Sequence, residues 1–154
     1  ECRRGVREFM PLTVMNIQVG SFDSFRQTHG NQAANQCLQH VAKALKKAVS
    51  RPGDLIALYD AGRFMLLLPS TNEMASSLAE RCLETIRSTA LSTPDTQQMS
   101  VALGIATMEP STDLTPENVL KLADLALRDA QAKGGDKYVA VVANEKPNDT
   151  SYII

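Results

Sequence analysis

The chain has 154 residues, 44% of them apolar and 21% charged, with 16 basic residues against 17 acidic ones for a formal net charge of -1. That length suits one domain with a sizeable core and no need of disulfides or a structural metal, and the composition excludes a disordered tail or a collagen-like repeat. The near-zero charge offers no general positive field to a nucleic acid polymer or an anionic lipid surface, and the longest apolar stretches, such as Phe64 to Leu68, fall far short of the roughly 20 residues that cross a bilayer.

Residues 1–10 are charged and lack the apolar stretch of a signal peptide, and there is no initiator Met, so the sequence reads as a domain taken from a longer protein. Leu12 to Val19 has the mostly apolar, partly β-branched character of a buried strand ended by Gly20 and Ser21. A short helix is expected over Phe22 to His29, stopped by Gly30. A longer one follows over Gln32 to Val49, where Ala34, Cys37, Leu38, Val41, Ala42, Leu45 and Val49 recur at intervals of three and four. Pro52 and Gly53 break the chain, and Leu55 to Tyr59 and Phe64 to Leu68 flank Asp60-Ala61-Gly62-Arg63 as a hairpin. The second of these strands is apolar on both faces, which predicts a central place in the sheet.

Asn72 to Ala90 has amphipathic helix spacing, with Met74, Leu78, Ala79, Cys82, Leu83 and Ile86 on one side. Ser100 to Thr107 reads as a strand, Pro116 to Ala132 as a helix stopped by Gly134 and Gly135, and Tyr138 to Val142 as a last strand. The order β-α-α-β-β-α-β-α-β contains the split β-α-β of ferredoxin-like folds. It predicts an α+β domain with a mainly antiparallel central sheet and helices packed on its faces. The domain should run over residues 1–143, with 144–154 as a polar tail or linker to a further domain.

Three cysteines, Cys2, Cys37 and Cys82, are an odd number at spacings that suit neither zinc nor a disulfide framework, which fits a reduced, cytoplasmic setting. Cys37 and Cys82 fall on apolar helix faces, where a thiol acts as a small hydrophobe. His29 and His40 have no Cys or carboxylate at ligand spacing, and no nucleophile elbow or Walker loop is present, so nucleophilic hydrolysis and P-loop chemistry find no support. The local cluster with chemical content is Arg51-Pro52-Gly53-Asp54. Pro and Gly at its centre suit a type II turn, which brings Arg51 and Asp54 together. A guanidinium fork can bond a guanine edge or clamp a phosphate, and a carboxylate can accept from base N–H groups. On that chemistry alone the pair reads first as a turn with a surface ion pair worth at most about 1 kcal/mol.

Three stretches, LTVMNIQVGSFDSF, RPGDLIALYDAGRFMLLLP and LALRDAQAKGGDKYV, carry a further signal. In residues, order and spacing the chain resembles the GGDEF family, the bacterial diguanylate cyclases, on a core like that of nucleotide cyclases. The family makes cyclic di-GMP from two GTP with carboxylate-held metal ions. The resemblance also implies what is missing. The signature hairpin is here Asp60-Ala61-Gly62-Arg63-Phe64, with Gly62 at the metal-ligand carboxylate and Arg63 in place of the next acid. The first-strand metal Asp aligns with Gln18, the guanine-binding Asn and Asp with Arg26 and Asn35, and the phosphate-binding Lys with Gln131. Magnesium needs hard carboxylate oxygens, so neither a catalytic residue nor a metal is expected.

What the resemblance retains is the family's inhibitory site for the product, an Arg-x-x-Asp motif upstream of the hairpin. Arg51 and Asp54 match it, Asp54 preceding Asp60 by six positions, and Arg81 in Ala79-Glu80-Arg81 matches the family's second arginine. Arg81 reads equally as a solvated helix residue. The implied function is a catalytically inactive receptor for cyclic di-GMP, taken as ligand and not as cofactor, that regulates attached domains or partners. The alternatives are a nucleotide-silent scaffold or dimerisation domain, or a weak GTP-binding regulator of an adjacent EAL phosphodiesterase domain. The implied partners are cyclic di-GMP, flanking domains of EAL, PAS, GAF or receiver type, and a second copy in a homodimer. No contact with a nucleic acid polymer or membrane is expected of this domain, although the full-length bacterial protein could be membrane-tethered.

Overall fold

A computed structural model describes residues 10–69, 75–91, 93–96, 99–109, 115–143 and 151–153. Its elements in chain order are β1 (Leu12–Val19), α1 (Phe22–Ala48), β2 (Leu55–Asp60), β3 (Arg63–Pro69), α2 (Ala75–Thr85), β4 (Val101–Met108), α3 (Pro116–Ala132), β5 (Lys137–Ala143) and β6 (Ser151–Ile153). A π-helical turn, Ile86–Ala90, continues α2. The strands form one sheet in the order β2-β3-β1-β4-β5-β6. Neighbours are antiparallel except β4 and β5, which run parallel and are joined through α3. The first four strands have the ferredoxin-like arrangement expected from their order.

Two apolar layers hold the sheet between helices. Alternation along β1 sends Met15, Ile17 and Val19 to one face, where they meet Phe64, Leu66 and Leu68 of β3 and the apolar sides of α1 and α2. On the other face Leu12 and Val14 pack with Val119, Ala123, Ala126, Leu127 and Ala130 of α3. Burying a side chain such as Phe64, which is 1% exposed, contributes about 1.5–3 kcal/mol. Gly104 lets α3 approach this closely, since a Cβ there would sit 2.1 Å from the backbone nitrogen of Leu127.

The span of α1 holds the two helices expected over Phe22 to His29 and Gln32 to Val49, parted at Gly30, whose φ of 90° and ψ of 167° are not helical. Glycine reaches that backbone without steric cost. Lys46 and Lys47 in its last turn complement the helix dipole. The α3 helix begins as its sequence directs, with Pro116 in the first turn and the Thr115 hydroxyl accepting from the Asn118 N–H. It ends before Gly134, Gly135 and Asp136, all at positive φ. There the Asp136 carboxylate accepts from Arg87 and, at 3.0 Å, from the Val101 N–H, tying the π-turn to the start of β4.

β3 has neighbours on both sides, but only one of its faces is closed. Phe64, Leu66 and Leu68 are buried while Arg63, Met65 and Leu67 are half-buried, because α3 lies over β4, β5 and β1 and leaves β2 and β3 open. β2 is the sheet edge, with Leu55, Leu58 and Tyr59 about half exposed. The helix expected from Asn72 is described from Ala75; Met74 lies outside the described residues. Of the expected tail over 144–154, residues 144–150 lie outside them as well, and Ser151–Ile153 pairs antiparallel with β5. Among the described residues no helix is long and apolar enough to cross a membrane.

Candidate functional site

The Arg51 turn forms as Pro52-Gly53 dictates. The Asp54 N–H donates to the Arg51 carbonyl at 3.2 Å, and Gly53 takes the positive φ of 92° that a type II turn requires at its third position. The Arg51 Nε stands 3.5 Å from the Asp54 Oδ2, and its guanidinium also reaches the Pro69 carbonyl at 3.4 Å. The pair differs from a solvated surface ion pair in one respect: the Arg51 side chain is 52% exposed, but that of Asp54 only 5%. A carboxylate sunk this far requires hydrogen-bonding or charged partners, and it is positioned rather than free to swing.

This turn forms one rim of a cavity of about 360 Å³, lined by Ala48, Val49, Ser50, Arg51 and Asp54 on one side and by Ser77, Leu78 and Arg81 of α2 on the other. Arg51, Asp54 and Arg81, 30 positions apart at the extremes, therefore converge on one opening. Arg81 is exposed on α2 beside Ala79, which is fully buried in the core, so the helix is held by one face and offers the arginine from another. Ser77 and Leu78 also line the cavity and were not singled out from sequence; only the packing of α2 against the end of α1 brings them there.

At the other end of β2 the hairpin closes in a two-residue loop, with Asp60 opposite Arg63. Asp60 Oδ1 accepts from the Ala61 N–H at 2.7 Å. Gly62, at a φ of 71°, accepts from the Val19 N–H through its carbonyl at 2.8 Å, and a Cβ on it would lie 2.9 Å from the Phe22 Cβ. Arg63 Nε donates to Gln18 Oε1 at 3.1 Å across the β1–β3 pair. The Gln18 amide in turn donates to the carbonyls of Val19 at 3.2 Å and Gly62 at 3.4 Å. The Arg63 guanidinium lies 5.6 Å from the centre of the Tyr59 ring. Phe64 belongs to the core.

These residues do not fit a divalent ion. Gln18 is neutral with its oxygen already accepting from a cation, Gly62 has no side chain, and Arg63 places positive charge between them. The neighbouring carboxylate, Asp124 of α3, accepts from the Asn16 amide at 2.8 Å. Asn16 is 1% exposed, and its Oδ1 is the one buried side-chain polar atom without a partner among the described residues. An Asn in the middle of the apolar run LTVMNIQV is the sequence signal that could have flagged it. Burial chiefly raises the Tyr59 hydroxyl above its usual value, with Arg63 opposing and Asp124 adding to the shift.

The remaining positions are dispersed. Arg26 is paired with Asp23 at 2.8 Å, and Arg26, Asn35, Asp60 and Ala61 line a second cavity between α1 and the hairpin. Gln131 is exposed on α3. Cys37 and Cys82 are buried in the core, where burial pushes the thiol of Cys37 up and that of Cys82 up to about 11, so neither is a thiolate nucleophile at neutral pH.

The sequence profile described as "Diguanylate cyclase, GGDEF domain" matches residues 2–137. The chain belongs to the GGDEF family. Among named relatives it is 29% identical over 133 residues to the "Probable diguanylate cyclase DgcT" of Escherichia coli K12, a match covering 84% of this chain and 29% of that one. "Diguanylate cyclase A" of Treponema denticola is 25% identical over 138 residues, covering 88% of this chain and 36% of the relative. The GGDEF chain thus spans about a third of the length of these relatives. Among solved structures, the diguanylate cyclase SiaD of Pseudomonas aeruginosa, in complex with its activator SiaC, superposes with a TM-score of 0.79 at 26% identity, over 93% of this chain and 54% of that one. The GGDEF domain of DgcB from Caulobacter crescentus, in complex with c-di-GMP, gives 0.74 at 22% identity, over 90% and 82% of the two chains, a likeness that bears on fold alone. The GGDEF fold matches the α+β architecture expected from the order of elements and the nucleotide-cyclase-like core that the resemblance implied.

Proposed function

We propose that this GGDEF domain binds cyclic di-GMP in the cavity between the Arg51 turn and α2, and reports its occupancy to attached domains or partners without making the nucleotide. The observation that carries this reading is the convergence of Arg51, Asp54 and Arg81 on one cavity of about 360 Å³. Their chemistry suits a guanine. A guanidinium can donate a fork to the O6 and N7 acceptors, and a carboxylate can accept from the base's N1 and N2 donors. Arg81, across the opening, is available to a phosphodiester. The exposed guanidinium and the sunken carboxylate present donor and acceptor at different depths, as an inserted ring edge needs.

The names of the relatives favour a second reading, synthesis of cyclic di-GMP from GTP. Against it stand the neutral Gln18, the side-chain-free Gly62 and the cationic Arg63 where carboxylates would hold a metal. A third outcome, a scaffold that binds no nucleotide, needs no chemistry from either site. Calorimetric titration with cyclic di-GMP and with GTP, each with and without magnesium, separates the three when paired with a product assay. The receptor binds cyclic di-GMP and forms none; the cyclase converts GTP; the scaffold does neither. Absence of cyclic di-GMP binding removes the proposed function.

A further inference from the structure

The sheet ends in two unlike edges. One is β6, three residues long, and a strand that short offers little to pair with. The other is β2, whose sequence LIALYD holds none of the Lys, Arg or Pro residues that commonly blunt an edge. Every residue of β2 except Ile56 is exposed. Leu55, Leu58 and Tyr59 are three of the four large apolar side chains exposed among the described residues; the fourth, Leu125, lies on α3. The irregularity of the strand falls between Leu58 and Asp60, so Leu55 to Leu58 keep a regular register with β3. Among the described residues no strand lies beyond β2 to take up its outward N–H and C=O groups. Exposed apolar side chains along an open hydrogen-bonding edge suit the addition of another strand.

We propose that two copies of this chain pair through β2, antiparallel about a two-fold axis at Ala57, so that their two sheets become one. The strand is complementary to itself in that register. A two-fold axis perpendicular to the sheet keeps each face continuous, so residues that meet across it must share a face. Centred on Ala57, Leu55 comes opposite Tyr59 of the second copy, and Ile56 opposite Leu58, which are favourable cross-strand pairs. Leu55 shares the face of its neighbour Leu67, and Tyr59 that of Arg63, whose guanidinium lies 5.6 Å from the ring centre. This is the face that α3 leaves open, so side chains otherwise in solvent cover one another. Ala57, the smallest side chain of the strand, sits on the axis, where the two backbones come closest. The charges agree as well. Asp60 accepts from the Ala61 N–H and forms no ion pair among the described residues. In this register it comes beside the Arg51 turn of the second copy, where the half-exposed guanidinium that meets Asp54 has donors for a second carboxylate. A parallel pairing in register would set Asp60 against Asp60 instead. The inference goes beyond ligand binding and does not rest on it.

The test is sedimentation of the 154-residue chain without nucleotide over a wide range of concentrations. One strand pair makes a small interface, so a concentration-dependent equilibrium of monomer and dimer is expected. Leu58→Lys, a charge on the edge, should weaken the dimer at least about tenfold. Leu125→Lys, at the exposed leucine of α3, should leave it unchanged; circular dichroism melts check that both variants keep the fold. Crosslinking reads the register. In a Cys2→Ala background, Ala57→Cys should join two chains by a disulfide, since residues opposite each other on the axis have Cα atoms about 4.5–5.5 Å apart. Leu55→Cys should not, because the same register holds it about 13 Å from its counterpart. Cys37 and Cys82 are buried and do not compete. Leu58→Lys should leave cyclic di-GMP affinity unchanged, so that failure of this interface and failure of the Arg51 site are read apart. A monomer at every concentration, a dimer indifferent to Leu58→Lys, or a link formed as readily by Leu55→Cys as by Ala57→Cys overturns the proposal.

Discussion

The Arg51 turn and the hairpin tip sit at opposite ends of β2, six residues and so about 20 Å apart, and the chain has treated them in opposite ways. At the first, three charged side chains from separate segments face an open cavity, with Asp54 sunk to 5% exposure and Arg51 left half in solvent. At the second, the polar groups answer one another: Arg63 bonds Gln18, Gln18 bonds two backbone carbonyls, and Gly62 offers its carbonyl to Val19. A group that is already satisfied must lose a bond to gain a ligand, and the net return is small. Arg51 has partners too, in Asp54 and the Pro69 carbonyl, but with half of its side chain in solvent it has donors to turn to a ligand beside them. The contrast is one of pre-organisation for a ligand at one end and self-satisfaction at the other.

The largest expected effect is on synthesis. Incubation with GTP and magnesium or manganese should yield no cyclic di-GMP, at protein concentrations that allow two copies to meet, and any enzyme-dependent turnover removes the contrast. Gly62→Glu should not restore it, because Gln18 and Arg63 remain. It should also destabilise: the backbone there has a φ of 71° and a Cβ would press on Phe22 at 2.9 Å. Forcing a side chain into that conformation costs about 1–3 kcal/mol, a fall of roughly 3–10 °C in Tm for a domain of this size. A variant that melts with wild type and turns over GTP would show that the hairpin is not self-satisfied.

At the other end, Arg51→Ala should weaken cyclic di-GMP binding by about 1–3 kcal/mol, roughly tenfold to over a hundredfold, with little change in Tm. Arg51→Lys keeps the charge but loses the planar fork, so it should recover little of the affinity; recovery to wild type would mean a contact by charge alone. Equal titrations for all three proteins would return the turn to a purely structural role. Arg81→Ala comes next in size. As an exposed residue of α2 facing a phosphodiester through solvent, it should cost less than Arg51, about 1 kcal/mol, and the loss should shrink at high salt. A salt-independent loss equal to that of Arg51 would make Arg81 a base-reading group instead.

Most of the frame was legible from local chemistry. The runs LTVMNIQV and SVALGIAT announce buried strands, Gly30 announces the break in α1, and Pro52-Gly53 announces the turn with its Arg51–Asp54 approach. The features that escaped depend on how elements stack. FMLLL looks central by composition, yet α3 does not extend over β3, and one face stays half open. The sunken state of Asp54 requires the end of α1 and α2 to close around it, which no spacing in RPGD encodes. The Gln18–Arg63 bond joins positions 45 residues apart, and it becomes visible only once the β1–β3 register is known. Ser151–Ile153 is too short for its period to distinguish it from the polar segment before it.

The smallest expected effect is an absence of change, and it tests the hairpin most directly. GTP should bind weakly, and adding magnesium should leave its affinity where it was. A triphosphate presents its charge to a metal only if protein carboxylates share the ion, and the side chains around the hairpin's β1–β3 junction are an amide, a glycine and a guanidinium. Arg63 can itself meet a phosphate, since the guanidinium is a planar fork with five donors, of which the Gln18 bond uses one. GTP binding should therefore fall in Arg63→Ala and respond to salt, while remaining indifferent to magnesium in both proteins. Tightening with magnesium in the wild type would mean that other oxygens, Asp60 or Asp124 among them, gather around an ion once the nucleotide supplies its phosphates. The hairpin would then be a latent metal site, and the distinction between the two ends of β2 would be one of affinity instead of kind.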